Sequence, residues 1–475
     1  MKKRLVIATI LSIAILGISA LLSAGSSAPP SSKSVQLHVV PSNELIRALR
    51  SQINVHTLSY IWMNHPHNNG IGNNAKESNA KESNAKESSV EDDNTKEVSL
   101  TSAPSSNPTT HVSPIQLMTG IPGLVWPTGG EAAVGAERLN FIDSNQLASP
   151  PVPIASLTKI MTAYVILNDH PLAPGEDGPT IRIDGADIET TYNDELNDET
   201  IVPIVHGEIL TEKQALEGLM IHSACNLAYV LARWDSGSVS AFVAKMNNMA
   251  HLLGLSSTRY VGPAGFSPGS VSTATDLTKL TMAAMSIPAF AHIVDHPSIN
   301  LPDAGTLYNY VSAIGQDGVI GVKSGFTYQS EGCVVLAAIR SIGGTEITLV
   351  ATVTGQGGMD PLGSAQNIAL ALINSMASQL HMNTTDLTGD VIGNIRPSWL
   401  ATHNNAHKAY YDIVMSGHID LLEWPGAEPR VTIRFDRQSY ACNTLHPNIQ
   451  VGTMTVSLGT FTSSVPLIVP RVPRC

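Results

Sequence analysis

Ser156, Leu157, Thr158 and Lys159 open an apolar helical pattern, and 164 residues beyond Lys159 the string Lys323, Ser324, Gly325 opens a run that reads as a β-strand. Leu157, Ile160, Met161, Tyr164 and Val165 follow with the i, i+3, i+4, i+7, i+8 spacing of an amphipathic helix. Side chains three apart on a helix lie one above the other, so the Lys159 amine can reach the Ser156 hydroxyl. A fold that uses both strings must bring a helix start up to the edge of a strand.

The spacing Ser-x-x-Lys by itself proves little, because it recurs at Ser78 to Lys81 and Ser83 to Lys86 inside a polar repeat. Context separates the third copy. Turn-prone Pro151, Val152 and Pro153 precede Ser156, which places the serine at a helix start, where unpaired N–H groups and the positive dipole end favour developing negative charge. For Lys159 to accept a proton near neutral pH the neutral amine has to be favoured, and burial beside a second cation such as Lys323 works in that direction. A serine with a lysine one turn away and a second Lys/Ser pair on a strand edge is equipped for acyl transfer through a serine ester. The competing reading is a helix-capping serine beside a solvated lysine.

The chain of 475 residues carries a net charge of −12 and no concentrated basic patch beyond its first four residues, which argues against a nucleic-acid partner. Met1 to Arg4 carry the cations, and residues 5–23 are apolar apart from small hydroxyl residues and Gly17. Residues 1–24 therefore read as a signal peptide or an amino-terminal anchor in the cytoplasmic membrane, and both outcomes place the remainder outside the cytoplasm. Residues 25–114 read as a low-complexity flexible linker in which Asn-Ala-Lys-Glu-Ser runs three times from Asn74 to Ser88. About 90 such residues would reach roughly 50 Å from a membrane, suited to a wall layer. Within them Leu45, Ile46, Leu49 and Ile53 have the spacing of a short amphipathic helix.

Residues 115–384 alternate in type. An early strand is expected over 132–141, a helix from Leu157, a helical stretch from Thr211 to Arg233, a capped helix from Thr273 to Met285, a hairpin of 333–339 with 347–353, and a closing helix through Ile368 to Met376. Strands at both ends with helices between and after imply an α+β layer fold, an antiparallel sheet flanked by helices. Residues 385–475 change to strand alternation, as in Val431, Ile433, Phe435 and Met454, Val456, Leu458, and read as a β-rich accessory domain. Of four cysteines, Cys442 and Cys475 share that last segment and form the expected pair, while Cys225 and Cys333 are expected free.

Several blocks occurring in order carry a family resemblance: residues 153–163 (PIASLTKIMTA), 219–232 (LMIHSACNLAYVLA), 246–267 (MNNMAHLLGLSSTRYVGPAGFS), 272–277 (STATDL) and 321–333 (GVKSGFTYQSEGC). Over about 125 to 355 the chain resembles the serine-type D-alanyl-D-alanine carboxypeptidases, the low-molecular-mass penicillin-binding proteins. The resemblance implies the serine β-lactamase/DD-peptidase-like fold with a helical subdomain. It also implies that Ser156 is the acylated nucleophile, Lys159 its general base, and Ser223 the relay of a proton to the leaving amine. Lys323 and Ser324, with Gly325 and Thr327 on the same strand, would hold the substrate's terminal carboxylate, and the N–H groups of Ser156 and Phe326 would form the oxyanion hole. The implied partners are peptidoglycan stem peptides and covalent β-lactam inhibitors.

Two positions depart from the family pattern. The middle motif normally reads Ser-x-Asn, but a gapless reading puts Cys225 at the asparagine position and Asn226 one place later. Either Cys225 replaces the amide, or the local backbone lets Asn226 serve. Family members also often carry an arginine after the strand pair that follows the third motif, whereas no Arg or Lys occurs between Arg340 and Arg396. His222 and Asp276 take structural readings, Asp276 as a helix-start carboxylate. The sixteen histidines are scattered without metal-ligand spacing, so no metal and no cofactor is expected.

The expected function is thus an exported carboxypeptidase that trims terminal D-Ala from peptidoglycan, with an endopeptidase on cross-links using the same residues. A catalytically degenerate wall-binding or penicillin-binding protein of the same fold is the first alternative. A β-lactamase is the second, disfavoured because no Glu lies between Glu217 and Glu331 to drive fast deacylation.

Overall fold

The computed structural model describes residues 34–39, 57–62, 115–118, 120–146, 148–397, 411–436, 439–441 and 444–472. Its centre is a six-stranded sheet of β1 (Gln116–Met118), β2 (Glu131–Ala136), β3 (Phe141–Ser144), β4 (Val319–Thr327), β5 (Glu331–Ile342) and β6 (Thr345–Gln356) in the order β4-β5-β6-β2-β3-β1. All pairs are antiparallel except β1 with β3. Strand β4, which carries Lys323 to Thr327, is an edge of this sheet.

The sheet is covered on both faces, and the sequence of β5 shows why. Cys333, Val335 and Ala337 enter one core together with the helices, whereas Val334, Leu336 and Ala338 enter the other. A strand buried on both sides reads as a continuous apolar run, here from Cys333 to Ala338. The first core is helical: α1 (Thr158–Asp169), α2 (Gly185–Leu196), α3 (Glu212–Met220), α4 (Cys225–Ser236), α5 (Val239–Leu252), α6 (Ala274–Met285) and α7 (Pro288–Val294). Helix α1 lies inside it, with every residue from Thr158 to Leu167 buried except Tyr164, so the helix is enclosed and not one-sided.

The second face packs against α8 (Pro361–Gln379) and the carboxy-terminal β-rich part, whose Trp424, Val431, Ile433 and Phe435 join Phe141, Leu336 and Ala369 in one apolar cluster. The Trp424 ring stacks on Phe141 with centroids 4.3 Å apart. Strands Val391–Pro397, Tyr411–Met415, Arg430–Phe435, Ile449–Leu458 and Phe461–Val469 belong to an eight-stranded sheet. The chain is therefore an α+β fold with a β-rich carboxy-terminal part.

The expected strand over 132–141 is two strands, β2 and β3, separated by a 3-10 turn at Glu137–Leu139. The expected helical stretch from Thr211 to Arg233 is likewise two helices, α3 and α4, broken between Ile221 and Ala224. Two segments within the stretch expected to be a linker are strands: Ser34–Val39 pairs with Val391–Pro397 and Ser439–Ala441, and Thr57–Trp62 pairs in parallel with Arg430–Phe435. Residues 1–24, the proposed short helix at 45–53, the five-residue repeats and the Cys442/Cys475 pair lie outside the described residues.

Candidate active site

Ser156 sits in a 3-10 turn, Ala155–Leu157, that leads directly into α1. Ala155, just before it, has a φ of 46°, and Ser223 in the break between α3 and α4 has a φ of 62°. Non-glycine residues held in this left-handed region cost about 1 to 3 kcal/mol each and persist where their surroundings over-determine them. Gly265 helps to impose the turn at Ala155, because a Cβ there would stand 2.0 Å from the Ala155 carbonyl oxygen.

Lys159, one turn on, is fully buried, and its Nζ lies 2.9 Å from Ser156 Oγ, 2.8 Å from the Ala264 carbonyl oxygen and 3.3 Å from Cys225 Sγ. The segment that leads to the Ala264 carbonyl is tied to two helices. Thr162 on α1 donates to the Pro263 carbonyl at 2.7 Å, and Asn247 on α5 brackets Tyr260 with one bond to its N–H and one to its C=O. The sequence pattern does not single out this carbonyl, although residues 246–267 are among the blocks that carry the resemblance.

Strand β4 comes up against Ser156 at Gly325. A Cβ at that position would lie 2.9 Å from the Ser156 nitrogen and 3.1 Å from the Ala155 Cβ, so the close approach requires a residue without one. Lys323 on the same strand is buried and donates to the Ser324 carbonyl at 3.1 Å. Burial, with the nearby Lys159 amine second, holds the Lys323 amine well below the ordinary lysine range. Phe326 is partly exposed and meets the exposed Tyr328 edge-on at 5.9 Å, at the end of the strand. Thr327 is committed to the turn between β4 and β5: its hydroxyl donates to Ser330 Oγ at 2.9 Å and accepts from the Ser330 N–H at 3.1 Å.

The structure resolves the choice between Cys225 and Asn226. Asn226 faces away from Lys159: its Oδ1 accepts from the Val202 N–H at 3.1 Å, and its Nδ2 donates to the Val202 carbonyl at 2.8 Å and to Thr191 Oγ1 at 3.1 Å. The expectation of Asn226 as a substrate contact is therefore corrected, because a fully buried amide with these bonds is a structural tie. Cys225, the first residue of α4, supplies the side chain that faces Lys159. Burial pushes its thiol up to about 11, so it stays S–H at neutral pH. Cys333, also free, lies in the sheet core.

His222 precedes Ser223 and stacks on Tyr310 with centroids 5.5 Å apart, and burial pushes its imidazole below the usual histidine range. Asp276 accepts from the Ser257 N–H and from Thr258 Oγ1, each at 2.9 Å, which is a structural role. Arg340 is bound to Asp317 and Asn374 and supplies no charge to the site. A serine hydroxyl touching a buried amine, beside a strand with its own buried lysine, can ionise the serine and exclude bulk water while it reacts.

Residues 143–355 match a family model described as D-alanyl-D-alanine carboxypeptidase. A D-alanyl-D-alanine carboxypeptidase from a Streptomyces species is 33% identical over 239 residues, covering 44% of this chain and 77% of that protein. The chain belongs to the D-alanyl-D-alanine carboxypeptidase family. A D-alanyl-D-alanine endopeptidase from Pseudomonas aeruginosa is 31% identical over 194 residues, covering 39% of this chain and 59% of that protein, less than two thirds of its length. The crystal structure of a Streptomyces DD-transpeptidase superposes with a TM-score of 0.47 at 26% identity, over 53% of this chain and 98% of that one.

Proposed function

We propose that this family member is an exported serine D,D-carboxypeptidase, placed outside the cytoplasm at the wall, that removes the terminal D-Ala from peptidoglycan stem peptides. The observation that carries the reading is the 2.9 Å contact between Lys159 Nζ and Ser156 Oγ in a buried setting, faced by the Gly325 segment of β4. Lys159 takes the hydroxyl proton as Ser156 Oγ attacks the carbonyl carbon between the two D-Ala residues. The N–H groups of Ser156 and Phe326 hold the oxyanion, each worth roughly 3 to 4 kcal/mol in comparable sites. Ser223 passes the proton taken up by Lys159 on to the departing amine, the C–N bond breaks, D-Ala leaves, and Lys159 is neutral again. Water, deprotonated by the same lysine, then hydrolyses the Ser156 ester and regenerates the hydroxyl.

Lys323 and Ser324 receive the terminal carboxylate. The incoming anion favours protonation of Lys323, which burial otherwise disfavours, so binding and proton uptake are linked there. Two observations support second readings. The names of the Streptomyces and Pseudomonas relatives divide between carboxypeptidase and endopeptidase at similar identity, and an endopeptidase would use the same residues. Cys225 in place of an amide supports a catalytically degenerate penicillin-binding protein. The test is D-Ala release from a stem pentapeptide beside cleavage of a cross-linked peptide dimer. D-Ala release by the wild type and none by Ser156→Ala is the expected result. Dimer cleavage alone would make it an endopeptidase, and penicillin labelling without either product would make it degenerate.

A further inference from the structure

A pocket of about 410 Å³ opens beside the turn between β4 and β5. Its mouth is exposed, at Gln329 and Glu331, and its floor is buried, at Ser330, Thr354 and Glu131. Val152 and Pro153, which lead into the Ser156 turn and pair with Ser272 and Val271 just before α6, give it an apolar wall. Glu131 lies two residues before Ala133, which enters the helical core, so its side chain leaves β2 on the face where that wall stands. Glu131 is 5% exposed, and neither carboxylate oxygen has a hydrogen-bond partner among the described residues. The other floor groups are satisfied. The Thr354 hydroxyl donates to the Glu131 carbonyl at 3.4 Å, and Ser330 Oγ accepts from the Thr327 hydroxyl at 2.9 Å. Among the described residues no Lys, Arg or His lines the pocket. An unpaired acid at the bottom of a pocket with an apolar wall fits an ammonium on an alkyl chain, and the volume is that of a small-molecule site.

We propose that this pocket holds the ammonium side chain of a diamino acid in the stem peptide, with Glu131 as the group that pairs with it. The inference rests on the carboxypeptidase reading, which sets the direction of the substrate. With its terminal carboxylate at Lys323 and Ser324 and its scissile carbonyl at the Phe326 N–H, the peptide upstream of the cleaved bond runs past Thr327 toward the turn into β5. Gly325 faces the Ser156 turn, and Thr327, two residues on, faces the same side. Its bonds to Ser330 join it to the floor of the pocket. The residue that precedes the two D-Ala residues is thereby delivered to the rim, and a flexible alkyl chain on it can follow the wall inward.

The surroundings of Glu131 set when its charge is present. Burial pushes its carboxyl up to about 7; the Ala274 N–H at the start of α6 opposes the rise without a bond of good geometry, and the Asp276 charge adds to it. Asp276 has Lys279 at 3.8 Å on its own helix, and Glu331 adds negative charge at the mouth. The Cys333 thiol on β5 donates to the Ser330 carbonyl at 3.4 Å and, pushed up to about 11 by burial, stays S–H. An ammonium favours the Glu131 anion, so the pairing is complete above about pH 7 and lost as the pH falls below it.

Two stem pentapeptides that differ only at the residue before the D-Ala pair, L-lysine or its amine-free counterpart L-norleucine, test this in the full chain. In the wild type at about pH 8, kcat/KM for D-Ala release is expected to be about tenfold or more higher for the lysine peptide, as a charge-assisted hydrogen bond provides. The preference should shrink to about threefold or less in Glu131→Gln at that pH, and in the wild type at about pH 6. Benzylpenicillin has no amine chain to place there, so its acylation of Ser156 should change by no more than about twofold in Glu131→Gln, with the thermal midpoint level or higher. Equal rates for the two peptides in the wild type, or a lysine preference that survives Glu131→Gln, overturns the assignment. So does a Glu131→Gln protein that loses penicillin acylation, because the acid then shapes the Ser156 turn instead. A wild type that releases D-Ala from neither peptide overturns the carboxypeptidase reading alone, and equilibrium binding of the two peptides to Ser156→Ala then decides the pocket. Tighter binding of the lysine peptide upholds it; equal or absent binding overturns it.

Discussion

Lys159→Met is expected to slow acylation of Ser156 about a thousandfold while the protein stays folded. General-base catalysis contributes on the order of a hundred- to ten-thousandfold, and among the described residues no other basic nitrogen is hydrogen-bonded to Ser156 Oγ. Methionine matches the lysine stem in length and removes an amine that is costly to bury, so the thermal midpoint should stay level or rise. Lys159→Arg should be as inactive, because a guanidinium does not act as a base and its planar fork does not fit the three contacts to Ser156, Cys225 and Ala264. Stopped-flow labelling with fluorescent penicillin, beside thermal melts, measures both effects.

Gly325→Ala should lower acylation by about a hundred- to a thousandfold, through geometry and not through chemistry. The added Cβ would stand 2.9 Å from the Ser156 nitrogen and 3.3 Å from the Leu157 nitrogen, both backbone atoms that cannot swing aside. Either β4 or the turn at Ser156 must shift. In the proposed reaction the Ser156 and Phe326 N–H groups hold the oxyanion, so a displacement of a few tenths of an ångström takes them out of register with it, and loss of one such donor costs that much. Gly185→Ala is the control, because a Cβ there meets nothing within 4 Å. It should leave the acylation rate unchanged within about twofold, which single-turnover rates for the three proteins would show.

The contact of Ser156 with Lys159 and the strand that faces them were legible because each rests on local pattern. Ser156 and Lys159 are one helical turn apart, and Lys323 to Thr327 lie on one strand. The choice between Cys225 and Asn226 was not legible, because it turns on one left-handed residue, Ser223, that breaks a helical pattern running from Thr211 to Arg233. Once α4 starts at Cys225, the next side chain points about 100° away around the helix and finds Val202 and Thr191.

Distance in sequence also hid the strands Ser34–Val39 and Thr57–Trp62. Their pairing partners, Val391–Pro397 and Arg430–Phe435, lie more than 350 residues away, and the polar repeats C-terminal to them dominate the composition of that stretch. The one-sided stripe on α1 understated its burial, because Thr158, Thr162 and Ala163 are small enough to be enclosed by neighbouring elements without an apolar signature.

Acylation of Ser156, with Lys159 as its base, is tested most directly by peptide mapping with mass spectrometry after incubation with benzylpenicillin. A single adduct of intact penicilloyl mass is predicted on the peptide that contains Ser156, absent from Ser156→Ala. An unmodified Ser156 peptide, or an adduct that persists on Ser156→Ala, would contradict it.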